Sequence, residues 1–213
     1  MKAARSKTKQ SEDPEDVQVR QRILGAALSA FMEGGYAQTS TLEIATRAHV
    51  SKRALYSLFG NKQAMLVACI SERAQRLKAP ADLPELGDRA TLSELLGAFG
   101  TRLLGETSDP MVVAVFRLAI AEAVRAPEVA QTLHSVAYQT SRAALREIMA
   151  KARSSGLLGG DPTEMSEQFA GLLWGDLMIR LLLQVADRPS AREIARRASD
   201  ATAAFLQLYP EPG

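Results

Sequence analysis

Residues Phe31–Lys62 constrain this chain more than any other stretch. Two short helical patterns lie there, separated by a turn of three or four residues at His49–Ser51. Ser40 opens the first and stands three residues before Glu43. This S/T-x-x-E capping box satisfies two orphan backbone donors. Leu42, Ile44 and Ala45 are expected on its buried face. Ser51 caps the second pattern, where Leu55, Leu58 and Phe59 recur at i, i+3 and i+4 and face inward. His49 occupies the turn position that wants φ > 0, a region histidine tolerates more than most side chains. The outer edge of the second helix is basic and aromatic. That geometry suits a helix-turn-helix whose second helix enters a DNA major groove.

The flanking sequence is also helical. Val19, Ile23, Ala27, Ala30 and Phe31 recur at three- and four-residue steps, and Gly34-Gly35 ends that helix. Lys62 opens a further helix through Met65, Leu66, Cys69 and Ile70 to about Lys78. The Pro/Gly/Asp-rich stretch Pro80–Asp88 is the best boundary. Helical patterns follow over 89–106, 110–126, 127–155, 162–186 and 190–209, punctuated by Pro110, Pro127, the Gly156–Pro162 segment and Pro189. No strand alternation appears. The expectation is an all-α chain of about nine helices. A helix-turn-helix head spans 17–78, with the motif itself at about 40–59 and helix 61–78 leading to the body, which spans 79–213. Residues 1–16, polar and basic and then acidic, read as a disordered arm.

Charge supports this reading only through placement. Residues 1–62 hold ten Lys/Arg against six Asp/Glu, but Lys2, Arg5, Lys7 and Lys9 supply that whole excess. Residues 10–62 balance at six and six. The weight therefore falls on particular side chains. Lys52 and Tyr56 are four apart and share a helix face, with Arg53 beside them. An arginine there can bond guanine O6 and N7 together, and Ala54 suits a thymine methyl. Tyr56 and Lys62 read as backbone contacts, Lys62 at a helix N-terminus that also favours phosphate. Thr39 and Thr41 flank the start of the preceding helix as phosphate contacts. Ser40 is first a cap and then a contact.

Other classes find little support. The two histidines are eighty-five residues apart, Cys69 is the one cysteine, and no zinc spacing appears. No G-x-S-x-G, P-loop or Rossmann fingerprint is present. The expectation is no enzyme, no metal and no cofactor. A lone cysteine fits a reducing cytoplasm, and no apolar signal segment follows the N-terminus. The richest apolar run, Leu172–Val185, is interrupted by Asp176 and Arg180 and is too short to span a membrane.

In the body, residues 169–185 are apolar nearly all round and need cover on more than one side. Gly171 and Gly175 would let another helix approach, beside Met178 and Leu182. The final helix presents Ile194, Ala198, Ala201, Thr202 and Phe205 as a stripe. These two helices and their symmetry mates are expected to form a four-helix dimer interface. A two-fold dimer sets two heads on successive major grooves and predicts a (pseudo)palindromic site on double-stranded DNA. A small-molecule pocket is expected around His134, Tyr138, Phe99, Leu103, Phe116, Trp174 and Arg180, mostly apolar with few polar anchors.

The head resembles the DNA-binding domain of the TetR family of bacterial transcriptional regulators. Gly35-Tyr36, Thr39-Ser40, Ile44-Ala45, Ala48, Val50-Ser51, Leu55-Tyr56, Phe59 and Lys62 carry the resemblance. The later helices look like the AefR-like C-terminal domain, through F-R-L-A-I-A-E-A-V-R-A-P-E and Phe169-Ala-Gly-Leu-Leu-Trp-Gly. The resemblance implies a cytoplasmic, homodimeric, ligand-responsive repressor released from its operator by a lipophilic effector. Two positions depart from the family pattern: His49 where glycine is usual, and Leu58 where tyrosine or histidine can reach phosphate. The alternative is a helical sensor or scaffold whose head contacts protein rather than DNA.

Overall fold

A computed structural model describes residues 14–79 and 83–211 of the chain. Among these residues all regular structure is helical: α1 (Pro14–Gly34), α2 (Thr41–Arg47), α3 (Lys52–Phe59), α4 (Lys62–Ala74), α5 (Arg89–Thr107), α6 (Pro110–Glu122), α7 (Pro127–Thr132), α8 (Gln139–Ser154), α9 (Pro162–Trp174), α10 (Leu177–Leu182) and α11 (Ala191–Leu208). A 3₁₀ turn, Gln75–Leu77, extends α4. The π-helical stretch Leu133–Tyr138 joins α7 to α8 in one rod, so the described residues form ten rods. The N-terminal arm expected over 1–16 lies mostly outside the described residues. Its last three positions, 14–16, already belong to α1.

Two expected helices need correction. The helix expected over 162–186 breaks at Gly175, where φ 47° and ψ −124° end α9. Glycine tolerates that conformation because it has no Cβ. The helix expected over 127–155 is continuous but carries the π turn, which periodicity alone does not reveal. Only one arm of the capping box expected at Ser40 forms: the Glu43 amide donates to Ser40 Oγ, while the Glu43 carboxylate takes Arg47 rather than the Ser40 amide. Ser40, Ser51 and Asn61 accept the amide protons of Glu43, Ala54 and Ala64 at the starts of α2, α3 and α4. Pro110, Pro127 and Pro162 occupy first turns, where a missing N–H costs nothing.

The core falls into two clusters. In the body, α11 lies along α5, and α9 covers both. Phe169 and Phe205 meet edge to face at 5.5 Å. Gly100 permits this close approach: a Cβ there would stand 3.1 Å from Leu173 and 3.3 Å from Ala198. The Arg89 guanidinium, at the start of α5, donates to the carbonyls of Leu157, Leu206 and Tyr209 and so fastens the end of α11.

In the head, Ile23, Ala27, Ala30 and Phe31 of α1 pack against Ile44, Leu55, Met65 and Leu66, all fully buried. Leu42 is not part of this core, contrary to expectation: it is 60% exposed at the first turn of α2. Ile44, Ala45 and Ala48 bury that helix instead. The head cluster also takes Val115, Leu118, Ala119, Val129 and Leu133 from α6, α7 and the π turn. Head and body therefore share apolar packing.

The tightest joint between them is Gly35. Its φ is +81°, and a Cβ there would stand 2.6 Å from Glu122 Oε1. Glu122 is buried, and its Oε2 has no hydrogen-bond partner among the described residues. Gly35→Ala is expected to lower the unfolding free energy by about 1–2 kcal/mol for the backbone alone. Urea titration should find a smaller loss for the same substitution in a Glu122→Ala background, where the steric part is gone.

Candidate nucleic-acid interface and cavity

The turn between α2 and α3 sets the recognition face. His49 adopts φ 55°, as the sequence suggested, and its amide donates to the Thr46 carbonyl. Val50 follows with its amide on the Ala45 carbonyl, and α3 leaves the turn capped by Ser51. Leu55 and Phe59 then point into the core, and Leu58 packs half-buried at its edge. The opposite side of α3 is exposed at Lys52, Arg53, Tyr56 and Ser57, with Ala54 half-buried beside them.

These side chains are organised unequally. Lys52 Nζ stands 5.8 Å from the centre of the Tyr56 ring. The Tyr56 hydroxyl meets Thr41 Oγ1 at 3.1 Å, so a residue of α3 is pinned to the first turn of α2. Arg53 makes no hydrogen bond or ion pair with any other described residue, which leaves its whole fork available to a base edge. Ser57 extends this flank beyond the residues expected from sequence. It stands four residues after Arg53 on the same exposed flank, and the spacing alone would have found it.

Two expected contacts are spent inside the protein. Thr39 is 3% exposed, and its one hydroxyl proton is shared between the carbonyls of Gly35 at 2.8 Å and Ala30 at 3.1 Å. It bolts the loop after α1 rather than facing phosphate. Lys62 Nζ donates to the carbonyls of Tyr36 at 2.8 Å, Thr39 at 3.1 Å and Ala37 at 3.4 Å, and lies 4.4 Å from the Tyr36 ring centre. All three ammonium protons have acceptors, so this cation clamps the α1–α2 loop. Ser40 is exposed, with its oxygen engaged as the α2 cap.

An exposed network braces the other side. Arg47 bonds Glu33 of α1 and Glu43 of its own helix, both at 2.8 Å. The Ser29 hydroxyl and this guanidinium hold the Glu33 carboxyl below the usual carboxylate range.

Behind the head, Leu28 of α1 together with α4, α5, α6, the π turn, α8, α9 and α10 line a cavity of about 280 Å³. Of the residues expected there, Leu103, Phe116, Tyr138 and Trp174 line it. Phe99, His134 and Arg180 do not. Phe99 is buried in the body core, with Arg102 stacked on its ring. His134 is exposed and stacks on Tyr138 at 5.2 Å. Arg180 is exposed and pairs with Asp176 at 3.7 Å. Each lies on the right helix but on the wrong side of it. Four residues of α4, Cys69, Ile70, Arg73 and Ala74, form one wall. Burial and the nearby Glu72 carboxylate push the Cys69 thiol up to about 12, so it remains protonated and behaves as a small apolar wall residue.

The expected dimer stripe on α11 also turns inward. Ile194, Ala198, Ala201 and Phe205 are all buried against α5 and α9. The small residues serve the close helix contact at Gly100 instead. Gly171 and Gly175 are exposed, Leu182 is half-buried, and Met178 is half-buried on the cavity wall. Along α9, α10 and the segment after it, the exposed apolar side chains are Leu172, Ile179, Leu183 and Val185.

Comparison with known proteins matches residues 23–69 to the family described as bacterial regulatory proteins, tetR family. Residues 94–211, more than half the chain, match the AefR-like transcriptional repressor C-terminal domain. The chain belongs to the TetR family of transcriptional regulators. It is 27% identical over 190 residues to the uncharacterized HTH-type transcriptional regulator YvkB of Bacillus subtilis (strain 168), covering 87% of this chain and 94% of that one. A crystal structure of a TetR transcriptional regulator from Agrobacterium tumefaciens is 29% identical, with TM-score 0.74 over 90% of this chain and 95% of that one. The flavonoid-responsive regulator FrrA is 27% identical, with TM-score 0.75 over 92% of this chain and all of that one. No helix among the described residues of this TetR-family chain is long and apolar enough to cross a membrane.

The Lys62 clamp gives a direct test. Lys62→Met should destabilise the protein in the absence of DNA by about 1.5–3 kcal/mol, the usual loss for hydrogen bonds to a charged group. Thermal denaturation checks it. A side chain that acted on phosphate alone would leave the melting temperature unchanged.

Proposed function

We propose that this protein is a ligand-responsive repressor that binds a pseudo-palindromic operator as a homodimer and is released by a small lipophilic effector. The single observation carrying the reading is the outward flank of α3. Lys52, Arg53, Tyr56 and Ser57 stand exposed together on a capped helix whose other side is locked in the core. On this reading Arg53 reads a base edge, Lys52 and the Thr41–Tyr56 pair meet phosphate, and Ala54 sits against the groove floor.

The cavity supports the effector part. It is lined mostly by apolar side chains, and α4 walls it while also carrying Met65 and Leu66 of the head core. An occupant that displaces α4 displaces the head. FrrA, named as flavonoid-responsive, has the same fold at 27% identity and supports a small-molecule effector here. The family match to AefR-like repressors supports repression. For the dimer, Leu172 and Ile179 with Leu183 and Val185 offer an uncovered apolar face on α9, α10 and the segment after it, which a second copy would bury isologously.

Selection of bound duplexes from a random pool tests the reading. Recovered sites should be inverted repeats, and affinity should fall steeply with salt. Arg53→Ala is expected to cost about 1–3 kcal/mol and to relax preference at one position of each half-site. A selection that returns no common sequence, with salt-independent binding, would favour a head that contacts protein.

A further inference from the structure

The charged groups on the cavity wall are not equivalent. Three of its lining side chains carry formal charge: Arg73, Glu106 and Arg142. Arg73 of α4 faces Asp109 at 3.4 Å, and Glu106 of α5 faces Arg76 at 3.5 Å. Each has a counter-charge supplied by the protein. Arg142 has none among the described residues. It stands on the first turns of α8, just past the π stretch, with its guanidinium carbon 5.1 Å from the centre of the Tyr138 ring. One of its nitrogens donates to the Ser166 carbonyl at 3.1 Å. A guanidinium carries five N–H donors in a fixed fork, so a single carbonyl leaves most of that capacity unused.

The surroundings determine what such a group selects. Phe116, Trp174, Leu103, Leu133 and Met111 make most of the wall apolar. An anion brought into such surroundings loses its water and needs a paired, hydrogen-bonding cation. A guanidinium fork matches a planar carboxylate in two parallel bonds. Stacking on Tyr138 and the bond to Ser166 hold the fork in place, so little freedom is lost on binding. The cavity of about 280 Å³ lies near the lower end of small-ligand pockets, roughly 300–1,000 Å³. We infer that the effector is a small apolar carboxylic acid, its carboxylate held by Arg142 and its body seated against Phe116 and Trp174. This rests on the cavity being the effector site.

Trp174, the only tryptophan in the chain, lines the cavity and reports binding by its fluorescence. Decanoate, methyl decanoate and decylamine can be titrated at pH 7 into the full-length protein and into Arg142→Met, which keeps the apolar stem and removes the charge. Decanoate should bind about ten- to a hundredfold more tightly than its ester, as expected for one charge-assisted pair. In Arg142→Met that preference should vanish while the ester's affinity stays the same, which also shows the cavity intact. Arg142→Lys should recover only part of the preference, because the ammonium lacks the fork. Equal binding of acid and ester to the unsubstituted protein, or tighter binding of the amine through Glu106, overturns the carboxylate assignment while leaving the cavity a lipophilic site. Binding of none of the three overturns the effector cavity as well.

Discussion

One helix answers to two environments, and the rest of the molecule is arranged around that constraint. On its head side α4 buries Met65 and Leu66 among α1, α2 and α3. On its body side Ile70, Arg73 and Ala74 wall the cavity. Closely packed side chains transmit displacement because an interior has few voids to absorb it. The π turn that lines the cavity also leans on α4. Arg73 and Arg76 pair with Asp109 and Glu106 at the corner of α5 and α6. Through Met65 and Leu66 at one end and Ile70, Arg73 and Ala74 at the other, α4 thus spans from the head core to the cavity wall.

Fixed cations hold the ends of these elements. Lys62 gathers the loop carbonyls of Tyr36, Ala37 and Thr39, and Arg89 gathers those of Leu157, Leu206 and Tyr209. Helix ends and loops leave carbonyls without intrahelical partners, and one cation serving three of them replaces three separate caps. In the head this has a functional consequence. The loop after α1 is tied down by Lys62 and Thr39, α2 is tied to α1 through Arg47, and Tyr56 is tied to α2 through Thr41. The outward side of α3 is thus aimed by contacts made elsewhere, while Arg53 itself is left free of partners among the described residues.

The sequence made the local features legible and the long-range ones not. Caps at Ser40 and Ser51, the left-handed His49 and the inward Leu55 and Phe59 follow from spacing and backbone preference, and the structure has them. The break at Gly175 rests on a positive φ, and the π turn at Leu133–Tyr138 on a change of hydrogen-bond register; neither leaves a mark in hydrophobic spacing. From sequence alone Thr39 and Lys62 suit phosphate contacts, because exposed hydroxyls and ammonium groups favour phosphate. Their partners are twenty-three to twenty-six residues away for Lys62 and as few as four for Thr39, and only the folded loop brings those carbonyls within reach. The small-residue stripe of α11 was ambiguous for a physical reason. Ala198 and Ala201 permit close approach to any helix, and α5 reached them from within the same chain. In the cavity, Leu103, Phe116, Tyr138 and Trp174 were found by character, whereas Phe99, His134 and Arg180 have the right character on the wrong side.

The claim that α4 joins cavity to recognition face can be measured without knowing the effector. Ala74 is buried on the cavity wall of α4, far along that helix from the residues of α3. Ala74→Phe would fill part of the cavity and leave the outward flank of α3 chemically untouched. Fluorescence anisotropy on a selected duplex should then find affinity altered by at least about fivefold, the lower end of typical coupling between sites, with circular dichroism unchanged. Affinity identical to the parent's, in a protein that is still fully helical, would contradict the account.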